Sequence, residues 1–320
     1  MEITPEIKDK LEKLNNKYAA LGQDLESYLD GLLYADTVKY WDYISVDTLL
    51  SLQKPRTSFP DEVIFIIYHQ ITELYFKLSL REFEQIAEKD ELTATFLTER
   101  TNRINRYFEA LTKSFEIMVQ GMEKEQFLKF RMSLLPASGF QSAQYRLIEM
   151  ASADFINLVH KDVRKNYTGE EPIETLYEHI YWKEGATELA SGKKTLTLRE
   201  FENRYSAEFI AFAEKHRNTN LWKRYKSLSK EDQQNPELIK ALKQNDVNVN
   251  INWPLVHYKS AVRYLHKDPS DIAATGGTNW QKYLPPRFQK RIFYPDLWSK
   301  QEKEDWGRAW VENVIGEINE

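Results

Sequence analysis

Three side chains in this sequence could carry chemistry by their type and setting: His69, His257 and Arg131. His69 lies within DEVIFIIYHQITELYFKLSL (61–80), where Val63, Ile64, Ile66, Ile67, Ile71, Leu74 and Leu78 cover most of a helix circumference. Phe65, His69, Thr72 and Phe76 share one face, so the imidazole projects into an aromatic-lined space. An imidazole there can accept a hydrogen bond, move a proton or ligate a metal. A core histidine bonded to a carbonyl is the commoner use of such a position. His257 stands on a second helical pattern, one turn after Trp253 and ahead of Ala261 and Leu265. Arg131 sits among Phe127, Phe130, Met132, Leu134 and Leu135. A guanidinium drawn into such surroundings needs an anion, either an internal carboxylate such as Glu149 or a substrate carboxylate held bidentately.

The chain has no cysteine, which removes disulfides, zinc fingers, iron–sulfur clusters and thiolate-ligated or CxxCH-attached haem. His, Asp, Glu or Tyr must hold any metal. The six histidines (His69, His160, His179, His216, His257 and His266) form no HExxH pair, and none follows a glutamate by three residues. Zincin and ferritin-like di-iron signatures are therefore missing. His69 and Glu73 could ligate from adjacent turns, but no second such pair accompanies them. A cofactor needing one imidazole remains open, with haem the main candidate. Thr275-Gly276-Gly277-Thr278 would let backbone amides and a hydroxyl approach a ligand closely, although TGG alone is usually a turn.

The elements that must position these groups are helical. Ser58 and Asp61 form a capping-box pattern with Pro60 in the first turn, and the 61–80 helix, apolar nearly all round, belongs in the interior. Ile7, Leu11, Leu14, Tyr18, Leu21, Leu25, Tyr28 and Leu32 alternate four-three spacings as one helix, or as two joined near Gly22, and this stripe suits an intersubunit contact as well as packing on its own domain. Residues 81–130 keep helical spacing, Pro136 to Gly139 break it, and Phe140 to Met150 resume it. Residues 160–249 turn polar, with helical patterns near 198–216 and 235–245. The expected architecture is all-α: an N-terminal arm (1–35), core helices with the pocket (36–160), a peripheral polar excursion (161–250) and a last core segment (251–320).

Lys and Arg total 44 against 49 Asp and Glu, a net charge of −5 with no long basic run, which argues against nucleic acid. No apolar stretch is long enough to span a bilayer, and the charged N-terminus is unlike a signal peptide, so a soluble cytoplasmic protein is expected. A chain of this length buries about three quarters of its unfolded surface, ample for an interior pocket.

DEVIFIIYHQITELYFK, FR…LLPASGFQSAQYRLIE, W…H followed by TGGT, and the terminal FYPDLW together closely resemble tryptophan 2,3-dioxygenases, from about Tyr40 to Trp298. The resemblance implies an all-α homotetramer that binds haem b and inserts both atoms of O2 across the indole C2–C3 bond of L-tryptophan, giving N-formylkynurenine. It places His257 at the proximal iron ligand with Trp253 before it, and His69 at the distal histidine that meets the indole N–H. Phe65 and Leu134 fall at indole-packing positions, and Arg131 falls at the carboxylate-binding arginine. Thr275 matches a contact to the substrate ammonium and carboxylate, and Ser138 and Gly139 match cofactor-contacting positions. Tyr40, Tyr43 and Ile44 match an aromatic segment that reaches a neighbouring subunit's pocket.

The chain departs from the family at several points. Phe127 stands where some members carry a tyrosine that assists the arginine, and Tyr75 replaces a more usual tryptophan. Tyr264-Leu265-His266 replaces an Ile-Ile-Gly-like run ahead of a longer loop, so His266 rivals His257 as proximal ligand. Two other readings stay open: a relative acting on a different indole, and a haem-binding sensor or helical interaction module without turnover.

Overall fold

The computed structural model describes residues 3–35, 38–134, 141–186, 193–265 and 290–307. Among them no strand forms, and the β features are single bridges, one of them antiparallel between Val159 and Ile180, so the chain is all-α. No helix among the described residues is long and apolar enough to cross a membrane. Two compact units form, Met1–Gln53 and Lys54–Glu320.

The first unit contains α1 (Pro5–Ala19), α2 (Leu25–Tyr34), α3 (Tyr40–Tyr43) and α4 (Val46–Leu50). The N-terminal stripe is thus two helices. The break falls at Gly22, whose φ of 71° is a conformation that a residue with a Cβ rarely adopts. Asp24 caps α2 by accepting from the Ser27 N–H at 2.8 Å. None of these four helices buries a residue.

The second unit opens with α5 (Asp61–Glu88), eight residues longer at its C-terminal end than the sequence pattern that announces it. The capping box does not form: α5 has no side-chain cap, and Asp61 instead accepts from the Glu123 N–H at 2.6 Å. Glu73 and Lys77 are spaced four apart for an ion pair, but the Glu73 carboxylate instead accepts from the Gln144 amide at 2.8 Å. Nor is α5 interior on all sides. Tyr68, Thr72, Phe76, Ser79, Phe83 and Ile86 are buried, while Ile67, Ile71, Leu74 and Leu78 line an exposed face. Their four-three-four spacing is that of an interhelical seam.

Then come α6 (Ala94–Ser114), α7 (Glu116–Gln120), α8 (Lys124–Phe130), a 3-10 turn (Arg131–Leu134) and α9 (Ala143–Ser152). Further along lie α10 (Lys161–Arg164), α11 (Ile173–Tyr177), α12 (Tyr181–Gly185), α13 (Leu196–His216), α14 (Leu221–Lys226), α15 (Lys230–Gln233) and α16 (Pro236–Val247). The segment expected to be peripheral contributes Leu198, Phe201, Phe209, Trp222, Leu238 and Leu242 to the main core. These apolar residues are diluted by charged neighbours in sequence but collected on the inner helix faces.

A π turn (Asn248–Asn252) joins α16 to α17 (Trp253–Leu265), the helix that carries His257. Pro254 explains it: in a regular helix its ring would crowd the Asn250 carbonyl and supply no N–H, and a π insertion relieves both faults. Asp246, fully buried at the end of α16, accepts from the Phe293 N–H at 3.0 Å, the Tyr294 N–H at 3.2 Å, the Trp298 indole at 3.0 Å and the Asn250 amide at 2.7 Å. Burial pushes this carboxyl up to about 6 against those donors. The FYPDLW segment is thereby hung on the helix that leads into α17.

Candidate functional site

His69 and His257 belong to helices that pack on the same core, and each is oriented by its own helix. The His69 Nδ1 lies 2.7 Å from the Phe65 carbonyl, and the His257 Nδ1 lies 2.9 Å from the Trp253 carbonyl. A carbonyl oxygen only accepts, so each Nδ1 carries the proton and each Nε2 keeps its lone pair. Desolvation brings His257 down to about 4, with the Trp253 carbonyl opposing and the nearby His69 charge adding to the fall. The two imidazoles therefore sense each other. His69 is reached by solvent yet surrounded by enough protein that desolvation lowers it too, opposed by the Phe65 carbonyl and Glu73. Both rings are neutral at neutral pH.

Aromatic side chains join the two. Phe65 packs on His69 at 4.1 Å between ring centroids, Phe115 on His257 at 4.4 Å, and Trp253 on His257 at 4.4 Å edge-on. Tyr68 meets Phe115 edge-on at 5.6 Å, and its hydroxyl donates to the Leu111 carbonyl at 3.1 Å. Phe76, the last residue of the predicted α5 face, meets Trp253 at 5.8 Å. The face of α5 read from spacing is thus real, and its far end reaches the helix of His257.

Arg131 begins the 3-10 turn after α8 and is half-buried. Phe130, fully buried just before it, packs on Phe65 at 5.8 Å, which sets the arginine beside the same aromatic group. Desolvation alone lowers its guanidinium, with no charged group opposing. The internal partner offered by sequence, Glu149, is engaged elsewhere: it accepts from Arg146 at 3.0 Å, from the Tyr181 hydroxyl at 2.6 Å and from Arg291. Leu134 closes the turn, half-buried against the core. Arg131 is left as a cation with no carboxylate within 4 Å among the described residues.

Tyr40, Tyr43 and Ile44 lie in the first unit and are exposed. Thr275, Ser138, Gly139 and His266 lie outside the described residues. Tyr68, Phe115 and Tyr264 enter the site without being singled out as site residues by sequence. Tyr264 was visible only as a departure from the family pattern, and Phe115 only as one apolar position of a helical repeat. Asp246 gave no signal in a polar stretch beyond the run of asparagines around it.

The described residues contain no group of three His, Asp or Glu that could hold a bare metal ion. They do fit a planar cofactor that takes a single imidazole. His257 offers a neutral Nε2, its other nitrogen is fixed by a backbone carbonyl as metal-bound histidines usually are, and Phe115 and Trp253 supply apolar walls.

A family model for tryptophan 2,3-dioxygenase matches residues 32–251, including His69 and Arg131 and ending ahead of His257. The tryptophan 2,3-dioxygenase of Ruegeria sp. (strain TM1040) is 38% identical over 117 residues, 36% of this chain and 42% of that protein. The one from Bradyrhizobium diazoefficiens is 34% identical over 119 residues, again 42% of its length. The chain thus spans less than half of these two relatives. Against the tryptophan 2,3-dioxygenase of Bacillus thuringiensis subsp. konkukian (strain 97-27) the match is 27% identical over 288 residues, 84% of this chain and 94% of that one.

Proposed function

The chain belongs to the tryptophan 2,3-dioxygenase family, and from that premise we propose that it is a haem b-dependent dioxygenase converting L-tryptophan and O2 to N-formylkynurenine. The observation that carries this reading is the group formed by His69, His257 and Arg131: two neutral imidazoles with free Nε2 atoms, and beside them a guanidinium without a carboxylate.

His257 would hold the haem iron through Nε2, and the haem, when bound, supplies the activation of O2. The remaining work is positional. Arg131 takes the substrate carboxylate bidentately, with Thr275 as a second contact to the zwitterion. Phe65 and Leu134 fix the plane of the indole. His69 accepts the indole N–H at Nε2, because its Nδ1 proton is already committed to the Phe65 carbonyl. An indole N–H is a very weak acid, so orientation rather than proton removal is the role of His69. Both oxygen atoms end in the product, so no external reductant is required.

The direct test is an anaerobic ferrous sample given L-tryptophan and then O2. Appearance of the N-formylkynurenine band supports the reading; a Soret band without product leaves a haem-binding module. On the distal side, His69→Ser should keep haem and turnover while weakening tryptophan use by about 0.5–1.5 kcal/mol, the net worth of one hydrogen bond. N-methyltryptophan, which lacks the indole donor, should be affected less. Equal losses on both substrates count against the contact.

The first unit fits a homotetramer in which the N-terminal segment is exchanged between subunits, with Tyr40, Tyr43 and Ile44 reaching a neighbour. None of its four helices has a buried residue, and Leu33 and Tyr34 are 73% and 81% exposed. Covering each such side chain is worth about 1.5–3 kcal/mol. Light scattering should therefore show four copies for the full chain and smaller species for Leu33→Asp with Tyr34→Asp. An unchanged mass for that variant removes the arm from the interface.

A further inference from the structure

We infer that Tyr264 is a positioning residue for Arg131: it clasps α8, the helix that Arg131 follows, to the His257-bearing helix α17, and so sets where the guanidinium meets a substrate carboxylate. The inference rests on the tryptophan reading above and adds to it a residue of this chain that spacing alone left unexplained.

Tyr264 is buried two helical turns after His257. Its hydroxyl lies 3.1 Å from the Val119 carbonyl and 3.3 Å from the Met122 carbonyl. These carbonyls flank Gly121, in the turn between α7 and α8. That turn has no slack, since a Cβ on Gly121 would collide with the Ile117 carbonyl. The ring of Tyr264 packs on Phe127 in the middle of α8 at 4.6 Å. Phe127 in turn packs on Phe130 at 5.5 Å and on Phe65 at 6.2 Å. One side chain therefore holds both the turn that enters α8 and the flank of α8 itself.

The start of α8 is fixed separately. Asp61 accepts from the Glu123 N–H at 2.6 Å, and Gln126 accepts from the Asp61 N–H at 3.3 Å. A helix of seven residues held at its start by α5 and on its flank by Tyr264 has little freedom left. Arg131, one residue past its end, has no charged partner of its own among the described residues. Its placement is inherited from α8. Bidentate capture of a carboxylate tolerates little error, and a displacement of about 1 Å can cost roughly a hundredfold. The clasp also joins the helix holding the cofactor ligand to the residue holding the substrate, so both ends of the reacting pair share one reference.

The test compares L-tryptophan with tryptamine, which lacks the carboxylate, by titrating each into the haem-loaded protein. Tyr264→Leu should raise the dissociation constant of L-tryptophan by about ten- to a hundredfold, leave that of tryptamine unchanged and leave the Soret band in place. Parallel weakening of both ligands, or no change in either, overturns the clasp. Should Tyr264→Leu fail to fold, Tyr264→Phe keeps the Phe127 stack and releases only the two carbonyls. It should show the same selective loss at about two- to tenfold, and again parallel or absent changes overturn the inference. If the unaltered protein binds neither indole, the tryptophan reading fails and amide exchange decides the clasp. Faster exchange across 119–130 in Tyr264→Phe supports it, and unchanged exchange overturns it.

Discussion

Arg131→Met should fold and take up haem as the unaltered chain does, while losing about 2–5 kcal/mol of L-tryptophan affinity. Methionine keeps most of the side-chain volume and removes the charge, so the packing of the 3-10 turn against Phe130 survives. The loss arises in the complex, where a substrate carboxylate would lie in apolar surroundings without its partner. Tryptamine and indole, which carry no carboxylate, should bind the variant and the parent equally well. The structure sharpens this test. The rival explanation made Arg131 a structural partner of Glu149, but Arg146, Arg291 and Tyr181 already occupy that carboxylate. Thermal stability should accordingly fall for Glu149→Gln and stay nearly constant for Arg131→Met. A variant at Arg131 that loses stability and weakens every indole alike would sink the substrate-clamp assignment.

Stable haem binding should be lost in His257→Ala and retained in both His266→Ala and His69→Ser. Outer partners of metal ligands are worth about 10–100-fold in metal affinity, so removing the ligand itself should exceed that. Added imidazole should restore a Soret band to His257→Ala by occupying the vacated space between Phe115 and Trp253. The structure makes His69 a fair competitor, because its ring has the same tautomer and the same free Nε2. Retention of haem by His257→Ala together with its loss from His69→Ser would reverse the proximal and distal assignments. Loss only from His266→Ala would move the ligand into the segment after α17.

Some of the local arrangement around the candidate site is legible in the sequence. The 65, 69, 72, 76 face is a consequence of helical period, and the structure keeps it from Phe65 at His69 to Phe76 at Trp253. The unease of Arg131 in an apolar run is likewise a local fact of sequence, and desolvation acts on it as expected. What failed were statements about who meets whom. The capping box at Ser58 lost to a distant acceptor role for Asp61, and α5, read as interior nearly all round, leaves Ile67, Ile71, Leu74 and Leu78 on an exposed face.

The sequence by itself determined that the chain is helical, which residues share a helix face, and which few side chains are chemically out of place among their neighbours. Period, burial preference and residue type act over one or two turns, so a linear reading contains them. Only the tertiary structure decided that Glu149 is taken, that Asp246 anchors a segment almost fifty residues away, and that Tyr264 grips the helix ahead of Arg131. Each of those depends on which surfaces touch. A polar group finds its partner by proximity in space, and proximity between distant segments is set by how whole helices pack, which no local spacing encodes.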